Sequence, residues 1–251
     1  MARASNASGG ESCLIAKLSH FADLRDTDRD MLREFEHNER TFKKRDIVRR
    51  EDEDIVVLFV VKKGWFYGHS LLPSGKRQVH RLFLPGDLIG THEIVSDCAI
   101  YDISAASAGV LCPFDKRGLT DVFATSPRLT ALLYSIEALD QITLDDRMRA
   151  VSRMDAEGRV AFFFLQIANR LRVAGELSGN SFRMELSQEL IGDALGLTGI
   201  HVNRTLRQLS EKGLLELRSG ELELSDEAAL ERLCGFNNRH YRIDTSWFPD
   251  G

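Results

Sequence analysis

The amino-acid sequence predicts an α+β protein with an N-terminal antiparallel β-roll, one long helix and a C-terminal winged helix-turn-helix. Short apolar runs rich in valine and isoleucine between residues 47 and 114 indicate antiparallel strands. Leucines at helical spacing after residue 127 indicate the long helix. A helix–glycine–helix pattern and a short hairpin between residues 186 and 224 indicate the winged helix.

The composition is that of a folded protein of two domains. The chain has 251 residues, of which 43% are hydrophobic, so a sizeable core can form. The formal net charge of −5 argues against a histone-like nucleic-acid binder, but it is compatible with one local cationic face. There is no apolar run of membrane-spanning length and no signal-peptide pattern. We therefore expect a cytoplasmic protein that does not contact the membrane.

Four cysteines are scattered along the chain: Cys13, Cys98, Cys112 and Cys234. No two of them form a CxxC pair, which argues against a disulfide framework and against a structural zinc site. We expect a reducing compartment, no bound metal and ordinary packing for each thiol.

The N-terminal half is predicted to be a disordered segment, residues 1–13, followed by a β-roll domain, residues 14–126. The apolar runs in this domain are too short and too rich in β-branched residues for helices. Pro73-Ser74-Gly75-Lys76 marks a hairpin turn, and Pro85-Gly86-Asp87 marks a second turn. Successive short strands with glycine-containing turns favour a closed or rolled sheet.

Residues 127–153 are predicted to form the long helix. Five apolar residues recur at alternating spacings of three and four, which is the seam of a coiled-coil-like helix. We expect this seam to form a dimer interface; the alternative is that it packs on the β-roll of its own chain. The seam residues are Leu129, Leu132, Leu133, Ile136 and Leu139.

Residues 154–234 are predicted to form the winged helix-turn-helix domain. Ser187 can cap the first helix of the motif, Gly196 suits its end, and Thr198 can cap the second helix. The alternating sequence around Arg218-Ser219-Gly220 predicts a two-stranded wing. An ordinary helical hairpin in a core would explain the glycines and leucines, but not the polar second helix or the wing.

The segment IGDALGLTGIHVNRTLRQL resembles the DNA-binding signature of the Crp/Fnr family of bacterial transcription regulators. LFLPGDLIG also resembles the turn before the ligand-binding segment in the family's cyclic-nucleotide-binding β-roll. The resemblance extends from about Leu18 to about Cys234. It implies a sensor-like β-roll, a long helix that pairs with its twin in a homodimer, and a domain that binds double-stranded DNA at a near-palindromic operator.

The resemblance also identifies the residues that would contact DNA. Gly199, Ile200 and Arg204 occupy the positions that touch bases. Gly199 offers no side chain, Ile200 offers only apolar contact, and Arg204 can pair with guanine, unless it contacts the backbone instead. His201, Arg207 and Arg218 suit phosphates. The candidate DNA-binding residues are Thr198, Gly199, Ile200, His201, Asn203, Arg204, Arg207 and Arg218.

The presumptive effector pocket departs from the family pattern. Cyclic-nucleotide-binding members follow the Gly-Asp turn with Gly-Glu and later carry an arginine beside a small residue. Gly90-Thr91 and Tyr101-Asp102 stand in those regions here. A buried phosphate without a cation is costly, which argues against cAMP in the family's usual mode. The tentative effector residues are Gly86, Asp87, Gly90, Thr91, Tyr101 and Asp102.

Other cofactors are also disfavoured. An iron–sulfur cluster needs several clustered cysteines, whereas the N-terminus offers only Cys13. His69, His80 and His92 are scattered through the β-roll, which argues against haem ligation. We therefore expect no cofactor.

These observations predict a dimeric, sequence-specific transcription regulator, with RNA polymerase as a further partner if it activates. One alternative is a small-molecule-binding protein whose winged helix contacts proteins instead of DNA. An enzyme is disfavoured because GxSxG, HExxH and P-loop patterns are absent from the sequence. The tail, residues 235–251, lies beyond the resemblance, and its dense aromatic residues are expected to dock on the body of the protein.

Overall fold

The computed structural model describes residues 12–177 and 179–249. An N-terminal half of short helices and eight strands leads into two long helices and a compact C-terminal half. The elements are α1 Cys13–Phe21, α2 Asp26–Glu34, β1 Arg40–Phe42, β2 Ile47–Arg49, β3 Val57–Lys63, β4 Phe66–Leu71, β5 Arg77–Phe83, β6 Leu88–Ile89, β7 Asp102–Ala105, β8 Gly109–Asp115, α3 Arg117–Thr125, α4 Pro127–Arg153, α5 Ala156–Val173, β9 Ser181–Arg183, α6 Gln188–Leu195, α7 Gly199–Glu211, β10 Glu216–Arg218, β11 Glu221–Glu223 and α8 Glu227–Cys234.

The β-roll consists of two four-stranded antiparallel sheets, with strand orders β1-β8-β3-β6 and β2-β7-β4-β5. Alternate residues of β3 point to opposite faces: Leu58 and Val60 pack in one apolar cluster, Phe59 and Val61 in another. The first cluster lies under α1, α2 and α4, and the second fills the inside of the roll. Because both faces of β3 are covered, its sequence is continuously apolar from Val57 to Val61 instead of alternating.

The N-terminal helix begins earlier than expected. Residues 1–11 lie outside the described part of the chain, but Ser12 and Cys13 are ordered, so the expected disordered segment extends too far. The Ser12 hydroxyl accepts a hydrogen bond from the Ile15 N–H at 3.0 Å and donates one to a carboxylate oxygen of Glu36 at 2.7 Å. This capped first turn lets α1 bury Leu14 beside Ile15, so the helix begins at Cys13.

The leucine seam of α4 packs on its own chain. Four of its five residues are buried in the cluster that includes α1, α2 and β3, and Ile136 is half-buried against it. The expected dimer interface at Leu129, Leu132, Leu133, Ile136 and Leu139 is therefore wrong for this structure. The physical reason is that a seam spacing identifies a helix face that must be covered, but does not identify what covers it.

A different face of α4 is left uncovered. Tyr134, Leu144 and Met148 are all large, apolar and exposed. They lie ten and fourteen residues apart, which places them on one side of the helix. In the single chain this apolar face is exposed to solvent, so it is available to pack against another molecule.

Arg147 and α5 join the two halves of the molecule. The core of α5 continues into the β-roll through Trp65 and Leu82 and into the C-terminal half through α6 and α7. The Arg147 guanidinium donates to the carbonyl oxygens of His80 at 2.7 Å and Val79 at 2.8 Å, and to that of Ala194 at 3.0 Å. The C-terminal half is thus fixed against the β-roll by packing and by backbone hydrogen bonds.

The tail returns across the molecule after α8. Arg239 pairs with Asp146 of α4 at 2.8 Å, and the His240 carbonyl oxygen accepts a hydrogen bond from the His20 ring at 3.1 Å. Phe248 is buried with the core of the N-terminal half. The expected docking of the aromatic residues is wrong for Tyr241 and Trp247, which are exposed because only one side of this extended segment faces the protein.

Candidate nucleic-acid interface

Two short helices, α6 and α7, form the predicted helix-turn-helix. Ser187 caps α6 by accepting a hydrogen bond from the Leu190 N–H, and Thr198 caps α7 by accepting one from the His201 N–H, each at 3.2 Å. Gly196 ends α6 with a φ of 68°. A Cβ on Gly192 would lie 2.5 Å from the Leu197 carbonyl oxygen, so only glycine permits this close turn. The caps and the turn are as predicted.

The second helix has a buried face and a free face. Val202, Leu206 and Leu209 pack into the core, and Thr205 is buried beside them. The opposite face presents exposed residues to solvent, among them Ile200, Asn203, Arg204, Arg207 and Glu211. The Ile200 side chain is 85% exposed, so it contributes little to folding and is available for contact with another molecule.

Cationic groups on this face are uncommitted. Within the described part of the chain, neither Arg204 nor Arg207 has a carboxylate at salt-bridge distance. Asn203 is held differently, because its Nδ2 donates to Oε1 of Gln188, the first residue of α6, at 3.1 Å. Two positive charges and an oriented amide on an exposed helix can contact both phosphates and base edges.

The wing is present but is less cationic than expected. β10 and β11 pair across the Ser219-Gly220 turn, and β9 adds a third strand. Arg218 lies at 2.5 Å from Glu216 of the same strand, although its side chain is mostly exposed. Glu221 and Glu223 add further negative charge to β11. A phosphate contact by Arg218 therefore requires the ion pair to open, and the wing as a whole is poorly suited to a polyanion.

The presumptive effector region is built around a buried carboxylate, Asp87. Its oxygens contact Lys17 of α1 at 2.6 Å, Arg170 of α5, and the Leu84 N–H at 2.6 Å. Burial alone would raise the pKa of Asp87, but the positive charges of Arg170 and Lys17 hold it below its usual value. Asp87 thus ties α1, α5 and the β5–β6 turn together through its two oxygens.

A second buried ion pair lies beside Gly90. Arg49 of β2 contacts Glu93 at 2.9 Å, and both side chains are almost completely buried. A Cβ on Gly90 would lie 3.5 Å from Nη1 of Arg49. The prediction that this region contains no cation is therefore wrong. Arg49 is present, but its charge is neutralised by Glu93.

The inside of the roll near Tyr101 is filled by aromatic rings. The Tyr101 ring stacks between His80 and His92, with centroids 5.5 and 5.7 Å away, and its hydroxyl bonds to the His92 ring. A Cβ on Gly68 would lie 2.4 Å from the Tyr101 ring, so the ring lies directly on the β4 backbone. Asp102 accepts a hydrogen bond from the Glu51 N–H at 2.8 Å. The side chains of the chain itself occupy this space.

A cavity of about 300 Å³ lies outside this stack, between the β5–β6 turn and the helices α1, α4 and α5. Gly86, Asp87 and Thr91 line it, whereas the other tentative effector residues, Gly90, Tyr101 and Asp102, do not. The structure therefore divides the predicted pocket into one half that faces the cavity and another that is packed inside the roll.

Both halves of the chain match known domain families. Residues 39–126 match the cyclic nucleotide-binding domain, and residues 158–233 match the Crp-like helix-turn-helix domain. The chain belongs to the Crp/Fnr family of transcription regulators. The predicted fold class is confirmed.

Similar Crp/Fnr proteins align over nearly the whole chain. The transcriptional activator protein Anr of Pseudomonas protegens is 25% identical over 93% of this chain and 95% of its own length. The nitrogen fixation regulation protein FixK of Bradyrhizobium diazoefficiens is 28% identical over 90% of this chain and 94% of its own. The structure of FixK2 from Bradyrhizobium japonicum covers 78% of this chain and 96% of its own, with a TM-score of 0.70 at 25% identity. These relatives are regulators, which confirms that the chain is not an enzyme.

The histidine and cysteine side chains are poorly arranged to ligate haem or an iron–sulfur cluster. Nε2 of His69 bonds to Ser104 at 3.0 Å and that of His80 to Ser70 at 3.1 Å, so a haem iron would have to displace these hydrogen bonds to be ligated through Nε2. Burial raises the pKa of the Cys13 and Cys112 thiols to about 11, which opposes thiolate ligation. Within residues 12–177 and 179–249, the histidine, cysteine and carboxylate side chains form no group suited to a metal ion. In the same ranges, each helix is too short or too polar to cross a lipid bilayer.

Two side-chain contacts in these regions were not predicted from the sequence. Gln188 contacts Asn203 only because α6 and α7 cross, and Arg49 reaches Glu93 across the roll. The helix-turn-helix pattern could have identified Gln188, since it places the start of α6 near α7. No local signal could have identified Arg49.

Proposed function

We propose that this Crp/Fnr protein binds DNA sequence-specifically as a homodimer on a near-palindromic operator and regulates transcription there. The observation that carries the proposal is the free face of α7, which is capped at Thr198 and exposes Arg204 and Arg207, neither of which has a salt-bridge partner among the described residues. A recognition helix of this kind enters the major groove with its N-terminal residues at the bases. The proposed setting is the cytoplasm, where the DNA lies, and RNA polymerase would be a partner if the protein activates.

Arg204 is proposed to read a base. Its long, planar guanidinium can donate two hydrogen bonds to O6 and N7 of guanine. Ile200, one turn earlier on the same face, suits the methyl group of thymine. Thr198 and His201 at the start of α7, with Arg207 further along, suit phosphates that fix the register. Gly199 lets the backbone approach closely but reads nothing itself.

A second copy of the chain is the proposed cover for the free face of α4. Tyr134, Leu144 and Met148 form an apolar stripe on a long helix, which in water favours pairing with an equivalent stripe. Two-fold pairing would present two copies of α7 to DNA, with half-sites roughly 34 Å apart. This places the dimer contact on a face of α4 that differs from the leucine seam.

The protein is proposed to act without cAMP in the family's usual mode. The cation beside Gly90 is paired with Glu93, and the Tyr101 ring is stacked between His80 and His92 inside the roll. A nucleotide would have to break a buried ion pair and displace packed rings, both of which cost free energy. The protein without a nucleotide is then either competent for DNA already or controlled by a different signal. An iron–sulfur cluster and haem are not part of the proposal, because Nε2 of His69, His80 and His92 is hydrogen-bonded and burial raises the pKa of the Cys13 and Cys112 thiols to about 11.

The test is to recover the DNA that the protein binds in its own genome. The full-length protein is incubated with sheared chromosomal DNA, and the captured fragments are sequenced. We expect enrichment of a shared near-palindrome, and binding to it that weakens steeply with salt. Random recovery of fragments, or tight retention that does not depend on salt, would contradict the proposal.

A further inference from the structure

A hydrogen-bonded pair of amides, Asn203 on α7 and Gln188 on α6, lies at the edge of the exposed helix face. We infer that Asn203 reads an adenine in the operator and that Gln188 holds its amide in the orientation this needs. The inference rests on the proposed function and extends it to a second base-specific side chain.

The position of Asn203 suits base reading. It lies three residues after Ile200 and one before Arg204, so the three side chains form one exposed patch near the start of α7. Ile200, Asn203 and Arg204 are all exposed. If Arg204 reaches a base edge, then Asn203 approaches the neighbouring base pair.

The hydrogen bonds that Asn203 has left over match adenine. One N–H of its Nδ2 is donated to Gln188 Oε1 at 3.1 Å. The second N–H and the Oδ1 atom remain free in the described part of the chain. The major-groove edge of adenine presents an acceptor at N7 and a donor at N6, which is the complement of this pair. Guanine offers two acceptors, so it would leave Oδ1 unpaired beside another oxygen.

Gln188 orients the side chain before DNA arrives. It is the first residue of α6, directly after the cap, and the cap itself uses only the hydroxyl of Ser187. Its hydrogen bond to Asn203 is therefore not needed to end or begin a helix. Fixing an amide in its binding orientation lowers the entropy that binding must spend. Gln188 is thus a positioning residue, and its Nε2, which has no hydrogen-bond partner among the described residues, is available to a phosphate.

The test replaces single atoms of the DNA. Each adenine in one half-site of the recovered operator is exchanged in turn for 7-deazaadenine, which lacks the N7 acceptor. For the wild-type protein, we expect one position at which affinity falls roughly 5- to 100-fold. The Asn203→Ala protein should bind the normal operator more weakly and should lose nothing further at that position. Gln188→Ala should show an intermediate loss at the same position.

Gln208→Ala is the matched control, since it removes another exposed amide from the same helix. It should leave the sensitivity of that adenine unchanged. If the Asn203→Ala protein remains as sensitive as wild type at that adenine, or if wild type is sensitive at none, the inference is overturned while the regulator proposal stands. A wild-type protein with no sequence preference at all would overturn both.

Discussion

The guanidinium of Arg49 lies 2.9 Å from the carboxylate of Glu93, and both side chains are buried within the β-roll. A phosphate ligand in this region would need a free cation. The cation beside Gly90 is Arg49, and it is already paired with Glu93. Nε and Nη1 of Arg49 have no hydrogen-bond partner among the described residues, so the charge depends on Glu93 for compensation. The charge of Arg49 is therefore not available to a phosphate while this ion pair is intact.

The ion pair should therefore matter more when broken than when removed. Glu93→Gln leaves a buried guanidinium without a counter-charge and should lower the free energy of unfolding by roughly 3–5 kcal/mol. Replacing both Arg49 and Glu93 by leucine should cost less, because no buried charge remains. Urea unfolding monitored by circular dichroism measures both. The single variants Arg49→Leu and Glu93→Leu complete the comparison. If the double variant loses as much free energy of unfolding as the sum of these two single variants, the two side chains are not energetically coupled.

Cyclic nucleotides should leave DNA binding unchanged. Because Arg49 is paired with Glu93 and Tyr101 is stacked between two histidines, cAMP or cGMP would have to break this ion pair and displace packed rings to enter the roll. Titration calorimetry at physiological nucleotide concentrations should give no heat of binding, and the affinity for the operator should not move. Micromolar binding of cAMP with a parallel rise in DNA affinity would refute this.

The dimer should depend on the free face of α4. Met148→Asp places a charge on an exposed position, so the subunit should stay folded while the pairing of two stripes is lost. Analytical ultracentrifugation should show a monomer, and affinity for the palindrome should drop. Leu71→Asp, at an exposed apolar position of the β-roll, is the control and should remain dimeric. A Met148→Asp protein that still sediments as a dimer would exclude this interface.

Stability should fall in mild acid because of His240. Burial lowers the pKa of this tail residue to about 4, and the charge of Arg170 contributes to the shift. The unfolded chain binds the proton near pH 6.5, so the unfolded state takes up more protons between about pH 6.5 and pH 4. The free energy of unfolding should decline over that window by up to about 3 kcal/mol and then stop declining from this source.

The variant His240→Leu isolates this contribution. The difference in unfolding free energy between pH 7 and pH 4.5 should be smaller in His240→Leu than in wild type. Burial also lowers the pKa values of His69 and His80, which act in the same direction and remain in both proteins. His37→Leu, at an exposed histidine, should keep the wild-type slope. An unchanged slope in His240→Leu would contradict the assignment.

Local features of the DNA-binding half could be predicted from the sequence. Ser187 and Thr198 cap helices and Gly196 forms the turn. These roles are predictable because each depends on only a few neighbouring residues. The wing hairpin follows from its turn residues in the same way. These features depend on local hydrogen bonds and backbone preferences, which short segments of sequence carry.

The errors concern partners distant in the chain. The leucine spacing of α4 correctly indicated an apolar face, but the β-roll covers that face at Leu132. Four strands, β3 to β6, lie between Arg49 and Glu93 in the sequence, so the two side chains meet only when the roll closes. Lys17 lies 70 residues before Asp87 in the sequence and Arg170 lies 83 residues after it. No short pattern encodes such meetings, because they depend on the tertiary fold.

The central claim, that the free face of α7 reads DNA sequence, is tested most directly by comparing Arg204→Ala with Arg207→Ala on the recovered operator and on random DNA. Arg204→Ala should cost roughly 1–3 kcal/mol on the operator alone and flatten the preference at one G·C pair in each half-site. Arg207→Ala should weaken all sequences alike and reduce the salt slope by about one. If Arg204→Ala lowers operator and random DNA binding equally, Arg204 contacts only the backbone and the claim is contradicted.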